Sequence, residues 1–427
     1  MIIYVLCLIV LIFWIYIFFL KKNYLNVITF IFWGIFFPLF LYQLDWSYLI
    51  DNNNDNIFNY IFVMVAMITI IYSLITANVK PYLLDSNKTI EITQLGTNIA
   101  TFLNVLFILL YLLENYLSSG SIFPGLVGID VHNKASVSVI SYITNASFLF
   151  LAFDLLAYKA TKKKKYIIWL VIIILIPIIT RSARMAMLMS LFQLVSLYVA
   201  IFPRNNSLMT KKEKIYRFAR NIIILGLIVA FLFGIMSFTN YRMSHYGKYN
   251  ITYADTIGWI GPNFLQSLAP YYGYFPLSFN NLKINIINQV IHPNYLGIYS
   301  FIGLYFGLFH IDRLFGIDGN LYSENNSITN GAANVPTGFW NFYYDYGILF
   351  FIPFVFALII LSFFLFNTKN LKHGLACTVL YCWYAVSFFF MSFQNTLFTS
   401  ISIIDGILIY IIIKYSFRIN QIYNVEK

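Results

Sequence analysis

The chain is dominated by apolar runs of about 20 residues, the length an α-helix needs to cross a hydrocarbon core. A chain with so many such runs cannot bury them all against one another in water. Hydrophobic residues make up 60 % of the 427 positions and charged residues only 10 %, and the mean hydropathy is +0.76. These values predict an all-α polytopic integral membrane protein. The rule places about eleven transmembrane helices. The first seven lie near 2–20, 25–44, 57–77, 99–117, 135–157, 166–180 and 184–202. The last four lie near 221–240, 338–366, 375–393 and 397–413. The first run is too long for a signal-peptide core and no small-residue cleavage site follows, so it reads as a retained span. The ninth is longer than a bilayer requires, and its outer part, through about Tyr346, is expected at the interface.

One long stretch interrupts the pattern. Residues 241–336 carry most of the polar chemistry, dividing the chain into an N-terminal transmembrane bundle (1–240), a large extracytoplasmic loop (241–336) and a C-terminal bundle (337–427). The apolar run 295–309 inside the loop is short for a span and contains three glycines, so a re-entrant or interfacial helix is expected there. Basic residues set the orientation, because they gather on the cytoplasmic side. With Lys21 and Lys22 inside, only Lys134, Arg181, Arg184, Arg242, Lys248, Lys283 and Arg313 of the 27 basic residues fall outside. The N-terminus is then outside and the C-terminus cytoplasmic.

The net charge of +11 follows from this orientation and does not indicate nucleic acid. Cys7, Cys377 and Cys382 lie in apolar runs with neither disulfide nor metal-ligand spacing. The sequence lacks a Gly-rich phosphate loop, His-Glu-x-x-His, Gly-x-Ser-x-Gly and Asp-x-Asp. No cofactor or metal is expected, and an enzyme built this way needs a substrate carrying its own good leaving group. Abundant Ile, Asn, Lys, Tyr and Phe point to an AT-rich, bacterial source.

Several places could carry chemistry. Arg181-Ser-Ala-Arg184 forms the outer turn between the sixth and seventh spans, and paired arginines at a helix start suit a phosphate or pyrophosphate. The bland alternative is two side chains snorkelling to headgroups. Arg242, His245 and Lys248 recur at intervals of three where the eighth span leaves the membrane. They would make a second cationic face with a titratable imidazole, or an interfacial anchor. His292, beside Pro293, is a candidate acid or base, or a hydrogen-bonded turn residue. Asp345, in Phe342-Tyr-Tyr-Asp-Tyr-Gly347, is a costly outer-end carboxylate that is either catalytic or ion-paired to an arginine. Trp340, Tyr343 and Tyr344 around it are candidate sugar-stacking rings. Glu114 and Asp405 are lesser candidates without an evident partner, and Asp154 is expected to face the Lys159–Lys165 cluster.

Three of these features together resemble the bacterial oligosaccharide repeat-unit polymerases, the Wzy-type O-antigen and capsule polymerases. They are Pro38-Leu-Phe-Leu-Tyr-Gln-Leu-Asp-Trp46, Arg181-Ser-Ala-Arg184 before an apolar helix, and Asn334-Val-Pro-Thr337 followed by Phe339 and Tyr343-Tyr-Asp-Tyr-Gly347. Pro336 and Phe350 depart from the family pattern, where an aromatic residue and a second Gly are common. The resemblance implies a metal-independent glycosyltransferase of the all-helical, lipid-donor (GT-C-like) type in the bacterial inner membrane. Donor and acceptor would be oligosaccharides linked to undecaprenyl pyrophosphate, in lipopolysaccharide or capsule biosynthesis, with a chain-length regulator as a possible partner. Arg181, Arg184, Arg242 and Lys248 would hold the pyrophosphate, with His245, His292 or Asp345 as general base. A ligase that moves finished glycan, a flippase or transporter, and a structural assembly partner are the competing readings. Outer-end charges and one dominant outer loop argue against a transporter, in which repeated halves and midplane charges are usual.

Overall fold

A computed structural model describes residues 2–50, 55–81, 88–124, 138–181, 184–202, 252–288, 296–301, 304–305, 309, 337–393 and 395–421. Most of these are helical. In order, α1 is Ile2–Ile15, α2 Val27–Ile31, α3 Phe37–Tyr42, α4 Asn56–Ile75, α5 Gln94–Ser119, α6 Ser138–Asn145, α7 Ser147–Thr161 and α8 Lys165–Arg181. They are followed by α9 Arg184–Ile201, α10 Tyr253–Thr256, α11 Ala269–Tyr274, α12 Pro276–Asn288, α13 Gly338–Tyr346, α14 Phe351–Asn367, α15 Gly374–Phe389 and α16 Ser400–Ser416. Short polar side chains start several of them. Asp55 accepts from the Ile57 amide at 2.7 Å, and Thr93 and Thr399 accept from the amides three residues on. Gly120 closes α5 at φ +73°.

Four helical stretches, 2–20, 56–75, 94–119 and 374–392, are long and apolar enough to cross a membrane, and α13 with α14 passes as one bent unit. Ten of the eleven expected runs coincide with helix; the eighth, 221–240, lies outside the described residues. The helices differ from the expectation in continuity. The fifth run breaks at Ala146 between α6 and α7. The ninth bends by 113° between α13 and α14. The chain is also not purely helical: β1 (Lys88–Ile92) and β2 (Phe417–Gln421) pair antiparallel, with Ile90 opposite Ile419.

Large apolar side chains are exposed in helical stripes, such as Ile352, Phe356, Ile359, Phe363 and Phe366 on α14. Polar side chains such as Asn104 and Asn115 are buried. This inversion of the water-soluble pattern is what a lipid-facing exterior requires. α15 sits at the centre, enclosed by α2, α9, α14 and α16, with the Tyr381 hydroxyl donating to the Leu25 carbonyl at 2.6 Å.

The bundle has two chemically distinct ends. At one, Asn23 reaches the carbonyls of Thr76, Ala77 and Val79 at 3.3, 3.1 and 3.0 Å. The β-pair continues this end, because residues 82–87 are too few to recross a bilayer. Lys159 lies 4.2 Å over the Phe202 ring, and His373 Nδ1 and the Tyr410 hydroxyl are 2.9 Å apart. Lys21, Lys22, Lys80, Lys159, Lys162–Lys165, Lys369, Lys372, Lys414 and Arg418 all fall in these connections. The opposite end carries the residues 42–50, α10–α12 and α13.

Gly34 lies where α15 ends against the π-helical turn 32–36. A Cβ there would fall 2.1 Å from the Phe389 carbonyl oxygen, which is backbone and has little room to retreat. At Gly406 the nearest atom, on Trp383, is at an ordinary 3.5 Å. Gly34→Ala is therefore expected to cost about 1–3 kcal/mol and lower the unfolding temperature of the solubilised protein. Gly406→Ala should leave it unchanged or slightly raised.

Candidate functional site

The motif Asn334–Gly347 folds, from Thr337 onward, into α13 and its stop. Gly338 lets the helix start lie close to Asn395, whose amide nitrogen a Cβ would meet at 2.8 Å. Gly347 ends α13 at φ +56° and ψ −126°, a conformation that a side chain resists. That turn redirects the chain into α14. Asp345, fully buried in the last turn of α13, accepts from the Tyr299 amide at 3.2 Å and from the Ser300 amide at 2.5 Å. A carboxylate near a helix C-terminus is disfavoured by the helix dipole, and these two donors offset that cost. Ser300 and Asn341 strengthen the junction: Asn341 Nδ2 donates to the Tyr299 carbonyl at 3.0 Å, and Asn395 Nδ2 to the Ser300 carbonyl at 2.9 Å. Gly297, at φ +71°, sits under the Tyr346 hydroxyl, which leaves no space for a side chain. Asp345, Tyr346 and Gly347 thus act together as a latch on the segment 296–301, the described start of the expected re-entrant run. Either carboxylate oxygen of Asp345 is already engaged by a backbone donor, which gives it a positioning role.

The aromatic residues around it differ in access. Trp340 and Tyr343 are buried in the core, whereas Tyr344 is half-buried and stacks near Tyr299 with ring centroids 4.2 Å apart. Arg181 ends α8 and Arg184 opens α9, leaving two residues for the turn. α8 starts at the lysine-rich end, so this turn lies at the α13 end. Arg242, His245, Lys248 and His292 lie outside the described residues.

The structure adds a component that the sequence did not flag. α12, within the expected surface loop, is enclosed by α3, α4, α13 and residues 390–392. Its Ser278, Asn280, Asn281, Lys283 and Asn285 are all buried. Asn280 accepts from the Tyr42 hydroxyl at 3.3 Å and donates to the Leu49 carbonyl at 2.8 Å, bracketing the end of the Pro38–Trp46 motif. Ser278 donates to the Ser392 carbonyl. Phe279, Leu282 and Ile286 fill the remaining faces, with the Phe279 and Phe62 rings 5.3 Å apart. A visible signal was the alternation of Asn and Lys with Phe, Leu and Ile over 279–286, which is too polar for lipid and too apolar for a solvated loop.

Asp45 stands beside this helix at φ +54° with its side chain exposed. Partial burial raises its pKa, and the nearby Lys283 charge opposes the shift. By contrast, Asp255 is held below the usual carboxylate range by the Thr252 hydroxyl at 2.6 Å and the Thr252 amide at 2.9 Å, a reciprocal cap of α10.

Two of the three lesser carboxylates have local partners. Glu114 accepts from Ser141 and, at 2.7 Å, from Thr144. Asp154 accepts from Asn104 at 3.0 Å, and the charge of Lys165, from the expected cluster, acts on it as well. Asp405 is buried with Oδ1 lacking a hydrogen-bond partner. Among the described residues, no group of three or more His, Cys, Asp or Glu side chains is arranged to hold a metal ion. Comparison with protein-family profiles, with curated proteins and with solved structures gives no match.

The latch predicts that Asp345→Ala releases 296–301 from α13 at a cost of about 1–3 kcal/mol. Hydrogen exchange followed by mass spectrometry checks this: peptides covering Tyr299 and Ser300 should exchange about tenfold faster or more, a factor set by 1.4 kcal/mol of lost protection. Unchanged protection there would remove the latch from the account.

Proposed function

We propose that the protein polymerises polyprenyl-pyrophosphate-linked oligosaccharide repeat units at the outer face of a bacterial cytoplasmic membrane, as a metal-independent glycosyltransferase. The α13 end is the outer end, the lysine-rich end is cytoplasmic, and about eleven spans of GT-C-like build surround the site. The observation that carries this reading is the latch at Asp345. The most informative motif of the resemblance is a built junction, which sets a helix start, a sharp glycine pivot and a docked loop at one end of the bundle. The Arg181–Arg184 turn lies at that same end.

The chemistry follows from what such a site can supply. A hydroxyl of the incoming lipid-linked repeat unit attacks the anomeric carbon of the growing chain. The bond to the lipid pyrophosphate breaks, and the leaving charge falls on the phosphate oxygens. Arg181 and Arg184, together with Arg242 and Lys248, would stabilise that charge as it develops. His245 or His292 remains a candidate for the attacking proton, whereas Asp345 keeps the docked loop in register. Tyr344 is the half-exposed ring of the motif available to a sugar face. A chain-length regulator is a candidate partner of such an enzyme.

The test uses cells that make the surface polysaccharide, with the gene deleted and then restored as wild type or Arg184→Ala at equal membrane abundance. Deletion should leave single repeat units on the final acceptor, wild type should restore the size ladder, and Arg184→Ala should restore less than about 1 % of it, the scale of losing one preorganised charge-stabilising donor. Full-length chains left on the carrier lipid would indicate a ligase. Repeat units retained on the cytoplasmic side would indicate a flippase, and an unchanged ladder would remove both readings and this one.

A further inference from the structure

Asp45 combines three features found together at no other carboxylate among the described residues. It lies at the α13 end, its side chain is exposed, and no described residue hydrogen-bonds its carboxylate. Its surroundings are fixed on both sides. The Tyr4 hydroxyl donates to the Gln43 carbonyl at 2.5 Å, and the Trp46 amide bonds the Tyr272 hydroxyl at 3.0 Å. Ser47 donates to the Ile257 carbonyl at 2.5 Å, and the Tyr48 amide to the Gly258 carbonyl at 3.0 Å. The Ile260 amide returns to the Trp46 carbonyl at 3.1 Å. The segment is clamped residue by residue while the Asp45 carboxylate is left open. Its left-handed backbone is a conformation that Asp tolerates but that is uncommon outside glycine.

Two further groups complete a site. Lys283 lies three residues along α12 from Asn280, so the helix face that grips Tyr42 and Leu49 also carries the buried ammonium. Tyr48, 79 % exposed, stands over Gly258, where a Cβ would approach it to 3.3 Å. An open aromatic side chain three residues from an open carboxylate, in one clamped segment, suits a sugar ring, with C–H groups on the ring and a hydroxyl toward the charge.

We propose that Asp45 is the general base of the transfer, with Tyr48 seating the acceptor sugar and Lys283 supplying the positive charge behind the carboxylate. This rests on the polymerase reading above. As the acceptor oxygen forms its bond to the anomeric carbon and the bond to pyrophosphate breaks, the hydroxyl proton passes to Asp45. The proton later returns to water, and the electron pair of the broken bond leaves on the lipid pyrophosphate. The groups facing Asp45 from the packed elements are the Lys283 ammonium on α12, the Tyr4 phenol on α1 and the Tyr272 phenol on α11.

The experiment measures conversion of single-repeat lipid pyrophosphate to the two-repeat product by membranes containing equal amounts of full-length wild type or variant, across pH. Asp45→Asn should slow the step by on the order of 10²-fold or more. Asp45→Glu should retain measurable turnover with a displaced acid limb, and Tyr48→Ala should raise the acceptor concentration for half-maximal rate. In the wild type, activity is lost on acidification through a pKa raised from the ordinary aspartate value, because burial favours the protonated form. An Asp45→Asn rate within about threefold of wild type would overturn the proposal, since a general base contributes far more than that. If that variant fails to reach the membrane, the Asp45→Glu and Tyr48→Ala variants decide, and an acid limb and half-saturation identical to wild type overturn it. If wild-type membranes form no two-repeat product, the polymerase reading itself fails. A working wild type with an indifferent Asp45 removes only this proposal.

Discussion

Polar groups enclosed by a lipid-facing bundle must find their partners inside the protein, because the hydrocarbon offers none. That constraint explains most of the specific geometry here. The exposed stripes of Ile and Phe on α14 leave the interior to hold the polar groups. Asn23 gathers three carbonyls at the end of α4, Glu114 takes two hydroxyls of α6, and Asp154 takes the Asn104 amide of α5. Asp345 is the most consequential case. The amides of Tyr299 and Ser300 docked on its carboxylate help keep it buried, so the motif helix and the preceding loop hold one another in place.

The same constraint makes α12 a structural centre of the α13 end. A helix with three buried asparagines and a buried lysine would be costly in lipid. It is instead surrounded by protein, and its Asn280 holds both Tyr42 and Leu49, which lie 238 and 231 residues earlier in the sequence. Through that tie, the end of the Pro38–Trp46 motif and the expected outer loop become one unit, joined by the Trp46, Trp259 and Tyr272 rings. The two ends of the bundle thereby differ in kind. One is a run of lysine-bearing turns closed by a small β-pair; the other is a packed assembly of aromatic rings, amides and carboxylates.

Helix positions were legible in the sequence because a 20-residue apolar run has few other outcomes, and the gathering of lysines at alternate connections followed from it. The breaks were less legible. Ala146 carries no helix-breaking signature, and the bend at Gly347 became readable only as excess length in the ninth run. The β-pair was missed because Lys88–Ile92 and Phe417–Gln421 are short and far apart, and only the fold brings them together. Asp345 stood out in the sequence as a costly carboxylate, but its partners include backbone amides some 45 residues away, which no side-chain pattern announces. Trp340 and Tyr343 looked like open rings since aromatic residues read alike whether they face a sugar or a core. Asp45 and Lys283 were not paired, as each lay in a different segment and neither formed a local motif.

On the proposed reading, the α13 end supplies what metal-free transfer from a lipid pyrophosphate needs: a fixed motif helix, an arginine-bearing turn and an accessible carboxylate in the same segment as an exposed ring. The most direct measurement reconstitutes the full-length protein in lipid vesicles with polyprenyl-pyrophosphate-linked repeat units and excess chelator. Chain length and released polyprenyl pyrophosphate are then followed together. The account predicts one lipid pyrophosphate released for each repeat unit added, with chelator present. Release without chain growth, or no release at all from a folded, membrane-inserted protein, would contradict it.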